Sequence, residues 1–131
     1  MARRLILDTG VLVGAERGRS MIRLLPEDDV AVAAVTVAEF YAGIELAVVE
    51  GREARADFLV AWLDAVTVVD YDLAVAAVHG KLLAHTKSSG RPRGAHDLII
   101  AASAAATRRT LVTTDSRARF DDLPGVACLV V

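Results

Sequence analysis

Cysteine is almost absent: Cys128 stands alone among 131 residues. That excludes an internal disulfide and a cysteine-rich zinc site, and makes a reducing cytoplasm the expected compartment. Aromatic residues amount to 5%. Phe58 and Trp62 read as core positions, so no platform for stacking nucleobases is visible. No apolar run is long enough to span a bilayer. Met1-Ala2-Arg3-Arg4 begins like a secretory leader, but Asp8 interrupts the apolar stretch, so neither a leader nor a membrane contact is expected. Charge of one sign is also lacking. Fifteen basic and 17 acidic residues leave a net charge of −2, which argues against bulk electrostatic binding of nucleic acid. Gly10 and Gly14 do not make a dinucleotide fingerprint. His79, His85 and His96 lack zinc-ligand spacing, and Ser103 has no triad around it.

What is present is a 54% hydrophobic chain of a length that suits one domain, residues 1–131, with one sizeable core. Arg3 to Leu7 reads as a first strand, continuous and apolar as a strand covered on both faces should be. It stops at Asp8, and a helix follows from about Thr9 to Arg17, broken by Gly18-Arg19-Ser20. A short helical turn is expected over Met21 to Leu25 and a turn at Pro26 to Asp29. Val30 to Val35 is the second strand. Thr36-Val37-Ala38-Glu39 fits a capping-box start for a helix reaching about Val49, with Phe40, Ile44 and Ala47 on one face. Glu50-Gly51-Arg52 is a break, and Arg55 to Leu63 is helical. Val66 to Val69 forms a third strand, and Asp72 caps a helix from Leu73 to about Lys87. Ser88 to Gly94 is a loop. An alanine-rich helix runs from Asp97 to Thr107. Thr110 to Thr113 is the fourth strand, and Val126 to Val130 the last. Alternating strands and helices imply a parallel sheet covered on both faces.

In such a sheet, strand ends and the starts of the following helices share one rim, where ligands bind. Four acids fall at comparable places. Asp8 ends the first strand, Glu39 lies in the first turn after the second, and Asp97 opens the helix before the fourth, whose end is Asp115. Each has a plain structural role open to it: a cap, a capping-box partner, a helix-dipole charge or a turn residue. Together, four carboxylates repel unless something cationic lies between them. An oxygen-only cluster suits Mg²⁺ or Mn²⁺, hard ions that keep waters and accept substrate phosphate. The chemistry implied is metal-assisted hydrolysis. Asp70, Asp121 and Asp122 are read as helix-start or turn residues. All basic residues but Lys81 and Lys87 are arginine, whose planar fork suits phosphate. Arg91 and Arg93 precede Asp97, and Arg117 and Arg119 follow Asp115, so either pair is a candidate to hold an RNA backbone.

The ordered set Leu5-Ile6-Leu7-Asp8-Thr9, Thr36-Val37-Ala38-Glu39-Phe40-Tyr41-Ala42-Gly43, His96-Asp97-Leu98-Ile99-Ile100-Ala101-Ala102 and Leu111-Val112-Thr113-Thr114-Asp115 resembles PIN-domain ribonucleases, and among them VapC toxins of type II toxin–antitoxin modules. The tail Arg119-Phe120-Asp121-Asp122-Leu123-Pro124-Gly125-Val126 is also similar. Arg17 to Asp29 and Glu50 to Asp64 match no such motif. The resemblance implies an α/β fold, a three-layer α/β/α sandwich around a parallel sheet of four to five strands. It implies a toxic Mg²⁺- or Mn²⁺-dependent endoribonuclease, cytoplasmic, with Asp8, Glu39, Asp97 and Asp115 as its acids. Asp8, Asp97 and Asp115 are the expected metal ligands. Thr9 and Thr114 match family hydroxyls that orient water or an acid. The implied partners are an RNA substrate, a second copy of the chain in a homodimer, and a VapB-type antitoxin joining it in a hetero-oligomer.

The rival from another class is a receiver-like Mg²⁺-binding phosphoacceptor. That module wants paired acids at the end of the first strand and a lysine late in the sheet. Here the first strand ends in one acid, and both lysines precede the fourth strand. A dehalogenase-like phosphatase wants an aspartate two positions after Asp8, where Gly10 stands.

Overall fold

Five strands, all parallel, lie in the order β3-β2-β1-β4-β5. They are β1 (Arg4–Leu7), β2 (Asp29–Ala33), β3 (Thr67–Val69), β4 (Thr110–Thr113) and β5 (Cys128–Val130). The computed structural model describes residues 2–19 and 22–131. Helices α1 (Thr9–Glu16), α2 (Ala34–Leu46), α3 (Val49–Ala65), α4 (Leu73–Ser89) and α5 (Ala95–Ala106) connect the strands, with 3-10 turns at Ser116–Ala118 and Phe120–Asp122. No helix among the described residues is long and apolar enough to cross a membrane.

Strand alternation sends side chains to opposite faces, and both faces are covered. Ile6, Ala31, Val69 and Leu111 pack with Val75 and Leu82 of α4 and Leu98, Ala101 and Ala102 of α5. Leu5, Leu7, Val32 and Val112 pack with Val11 of α1 and Trp62 of α3 on the other face. A third cluster joins Leu12, Phe40, Ile44 and Leu59, tying α1 to α2 and α3. This is the three-layer α/β/α sandwich expected, with a five-stranded sheet.

Local boundaries differ from the sequence reading in instructive ways. Helix α2 starts at Ala34, capped by no side chain, so the capping box does not form. Thr36 is instead fully buried in its first turn, 3.3 Å by its hydroxyl from that of Thr9. The break expected at Glu50–Arg52 falls earlier, between Leu46 and Val49. Glu50 sits in the first turn of α3, where the dipole favours an acid. Arg52 reaches back to the carbonyls of Glu45 (2.9 Å) and Ala47 (3.1 Å). Those residues build the α2–α3 hairpin rather than interrupt a helix, and Ala47 caps α2 instead of lying on its buried face. Met21, like Ser20, lies outside the described residues, and Ile22–Leu25 are not helical. The last strand is shorter than expected, beginning at Cys128.

At the amino-terminal edge of the sheet, Arg109 is buried. Its Nη1 donates to the carbonyls of Leu5 (3.3 Å) and Asp29 (2.9 Å) and to Asp29 Oδ1 (2.9 Å). Arg4 pairs with the other oxygen of Asp29 at 2.8 Å. The acids expected to carry chemistry lie at the opposite edge.

Candidate active site

Asp8 is the residue at which β1 becomes α1. Its amide closes the β1–β4 ladder by donating to Val112 O at 2.9 Å, and its carbonyl accepts from Val11 and Leu12. The side chain caps the helix, with Oδ1 accepting from the Thr9 amide at 2.7 Å. Oδ2 accepts from the Thr113 hydroxyl at 2.8 Å. Asp8 as a whole is 8% exposed. Burial raises its pKa above the ordinary value, the Thr113 and Thr9 hydrogen bonds oppose that, and Glu39 and Asp115 add to the rise.

Glu39 projects from the second turn of α2, one turn beyond its expected place, because the helix starts at Ala34. Its Oε1 accepts from the Thr9 hydroxyl at 2.9 Å, and His96 Nδ1 stands 3.7 Å from Oε2. Asp97 lies in the first turn of α5. Burial raises its pKa first, then the negative fields of Asp8, Asp115 and Glu39, while His96 lowers it. Asp8 and Asp97 thus feel the neighbouring acids, and among the described residues no arginine or lysine forms an ion pair with any of the four.

Asp115 follows β4. Its amide donates to the Thr113 hydroxyl at 3.0 Å, and its Oδ1 accepts from the amides of Arg117 (2.9 Å) and Ala118 (3.2 Å). One oxygen therefore caps the 3-10 turn. Thr114 packs on the first turn of α1: a Cβ added at Gly10 would stand 2.9 Å from its hydroxyl. Gly94 is matched to Asp97 in the same way, an added Cβ falling 2.9 Å from Oδ2.

The donor set is oxygen-only, negative and, among the described residues, paired with no arginine or lysine, which suits a hard divalent cation. No three His, Cys, Asp or Glu side chains among the described residues close on one point tightly enough to hold an ion unaided. Of the three expected ligands, Asp8, Asp97 and Asp115, the last keeps one oxygen on its own 3-10 turn. Mg²⁺ needs no cage of carboxylates, since one or two carboxylates with waters and substrate phosphate are its usual share.

Asp97 and Asp115 share a cavity of about 360 Å³ with Arg91, Arg93, Arg117 and Arg119. The arginines differ. Arg93 is committed to the backbone, its Nη1 donating to the carbonyls of Ala118 and, at 2.7 Å, Arg119. Arg91 and Arg119 both reach Asp122, and Arg117 is exposed.

Thr113 was not among the residues expected here, although it links Asp8 to Asp115. The adjacent Thr114 was singled out instead. The signal lies in the pairing: Leu7 is level with Val112, so Asp8 is level with Thr113. Thr36 was read as a cap and lies beneath Thr9 instead.

The chain matches the family model described as PIN domain over residues 5–126. It is 34% identical over 128 residues to Ribonuclease VapC5 of Mycobacterium tuberculosis, covering 96% of this chain and 92% of that protein. A chain of the VapBC-5 crystal structure from the same organism superposes with a TM-score of 0.77 at 30% identity, with 98% of each chain covered. A chain of the Rickettsia felis VapBC2 structure superposes with a TM-score of 0.87 at 22% identity, again over 98% of each, which is a likeness of fold. These matches set the receiver-like and phosphatase alternatives aside: the chain belongs to the PIN domain family, and within it to the VapC type.

Proposed function

We propose that this chain is the toxin of a VapBC-type toxin–antitoxin module, an endoribonuclease that depends on a divalent metal and hydrolyses RNA phosphodiesters. The observation that carries the reading is the gathering of Asp8, Glu39, Asp97 and Asp115 at one rim with no arginine or lysine paired to them among the described residues, and with Asp8 and Asp97 both raised in pKa there. Mg²⁺ or Mn²⁺, when bound, supplies the positive charge that polarises the phosphate and acidifies water. Asp8 and Asp97 are the side chains that would hold it. Asp8 is fixed in one orientation by the Thr9 amide and Thr113 hydroxyl, so its ligating geometry is set before substrate arrives. Glu39, steered by Thr9, orients the attacking water and takes its proton. Asp115 deepens the negative field and fixes the turn that carries Arg117 and Arg119. No side-chain nucleophile is needed: water attacks phosphorus in line and the 3′ oxygen leaves, so the products are a 5′-phosphate and a 3′-hydroxyl.

The likeness to chains of VapBC complexes supports a VapB-type antitoxin as partner. A homodimer, the hetero-oligomer it forms with antitoxin, and a cytoplasmic location complete the proposal. The test is cleavage of cellular RNA by the purified chain with Mg²⁺ or Mn²⁺, followed by sequencing of the cut ends. Cleavage should stop with chelator and in Asp97→Asn. Full activity of Asp8→Asn and Asp97→Asn in excess Mg²⁺ would overturn the assignment.

A further inference from the structure

The cavity holding Asp97 and Asp115 does not end at the acids. A second cavity, of about 560 Å³, shares Arg91, Arg93, Arg119 and Asp122 with it and runs on to His85 and Ser89 at the end of α4. Where the two join, arginines from two separate segments converge on one carboxylate. Arg91, from the α4–α5 loop, approaches Asp122 Oδ2 at 3.5 Å, and Arg119, from between the 3-10 turns, donates to Oδ1 at 3.2 Å. Two guanidinium groups on the two oxygens of one anion is the arrangement that binds a phosphate.

The clasp is built but loosely closed. Arg119 holds a left-handed backbone, φ 50°, which is uncommon for a residue other than glycine. Arg93 braces this turn, bonding the carbonyls of Ala118 and Arg119. The ion pairs themselves are weak: the Arg91 and Arg119 side chains are 72% and 59% exposed and that of Asp122 30%. Exposed pairs of this kind contribute little stability, so an incoming anion can replace the carboxylate at small cost.

We propose that Arg91 and Arg119 form a binding subsite for a backbone phosphate of single-stranded RNA, displaced along the strand from the phosphate being cleaved. Asp122 occupies the subsite in the free protein and competes with the RNA for it. The proposal rests on the ribonuclease reading for its ligand, but its test reads binding rather than cleavage.

The measurement is the Kd of a labelled oligouridylate for the full chain across a series of KCl concentrations, with Mg²⁺ present, in an Asp97→Asn background that leaves the RNA intact. Arg91→Ala and Arg119→Ala each weaken binding severalfold. Each also lowers the slope of log affinity against log salt by about 0.7, the value for one lost phosphate contact on a single strand. Asp122→Asn does the opposite and tightens binding severalfold, because it frees Arg91, leaves Arg119 only its 3.5 Å contact with Asp121, and removes a repulsive charge. A purely structural Asp122 predicts a lower melting temperature and no gain in affinity. Unchanged binding in either arginine variant, or weakened or unchanged binding in a folded Asp122→Asn, overturns the subsite, as does loss of antitoxin binding without loss of RNA binding. Arg91 is exposed, so its variant keeps the test decisive whatever Asp122→Asn does to folding. Absence of RNA cleavage by the unmodified chain would instead count against the ribonuclease reading itself.

Discussion

The Thr113 hydroxyl donates to Asp8 Oδ2 at 2.8 Å and is buried with it between β1 and β4. The same oxygen accepts from the Asp115 amide at 3.0 Å, so one hydroxyl aligns one acid and anchors the loop carrying another. Thr113→Val keeps the shape and removes both bonds. The stranded Asp115 amide costs about 1–3 kcal/mol of stability. Loss of the donor lets the Asp8 carboxylate turn and raises its pKa further, so RNA cleavage falls about 10- to 100-fold, as for other groups that orient a metal ligand. The acid limb of the pH–rate profile moves to higher pH. Thr113→Ser restores both. Steady-state cleavage against pH, with a thermal melt, checks all three.

Gly94 caps α5 with φ −60° and ψ 135°, a conformation open to alanine, so its lack of a side chain serves another purpose. A Cβ there would stand 2.9 Å from Asp97 Oδ2. The carboxylate end is free to rotate away, and Gly94→Ala therefore leaves stability within about 1 kcal/mol. The displaced carboxylate no longer meets the metal in register, and misplacement on the order of 1 Å costs about 100-fold in rate. A melt unchanged alongside lost cleavage is the expected pair. Retained activity would show that Asp97 needs no such clearance.

Much of this arrangement was legible in residue order, and the exceptions have physical causes. Asp8 and Asp72 were readable because each ends a strand or a short linker and caps the next helix, a local event. The acids were readable as a set because parallel topology sends strand ends to one rim. Thr113 was not, because choosing it over Thr114 requires knowing that β4 lies beside β1 and in which register. The α2–α3 boundary was misplaced because Gly51 looks like a breaker, whereas it lies in the first turn of α3 and Arg52 beside it holds the carbonyls at the end of α2. Arg93, a candidate phosphate ligand in sequence, also bonds the carbonyls of Ala118 and Arg119, a contact between distant segments that residue order does not show.

Arg109 gives a control far from the chemistry. It clasps β1 and β2 at the edge opposite the acids, and its Nε is buried without a partner. Arg109→Met leaves two strand-end carbonyls short of a donor and lowers stability by about 3 kcal/mol, the lower end for breaking a buried pair, because half-exposed Asp29 is rehydrated. Asp29 has its pKa lowered chiefly by the Arg109 hydrogen bond. That contribution is present above the ordinary carboxylate value and is lost as pH falls through the lowered one. The variant should therefore be less stable at neutral pH and lose less on acidification, with cleavage per folded molecule unchanged.

Asp97 behaves in the reverse sense. Its pKa is raised by burial and by three neighbouring carboxylates, so the folded chain holds that proton more tightly than the unfolded chain does. Stability consequently falls as pH rises from the ordinary carboxylate value through the raised one, and the whole cost is present at neutral pH. Asp97→Asn removes it. Without divalent ions the variant should melt a few degrees above the unmodified chain at neutral pH, and the two should converge well below the ordinary carboxylate pKa. Mg²⁺ reverses the order, because a cation that binds only the folded carboxylates stabilises the unmodified chain by mass action and does little for the variant. Melting curves at both pH values, with chelator and with Mg²⁺, separate the alternatives. If Asp97→Asn is the less stable protein in chelator at neutral pH, the acids are already compensated within the chain and the rim has no need of a metal.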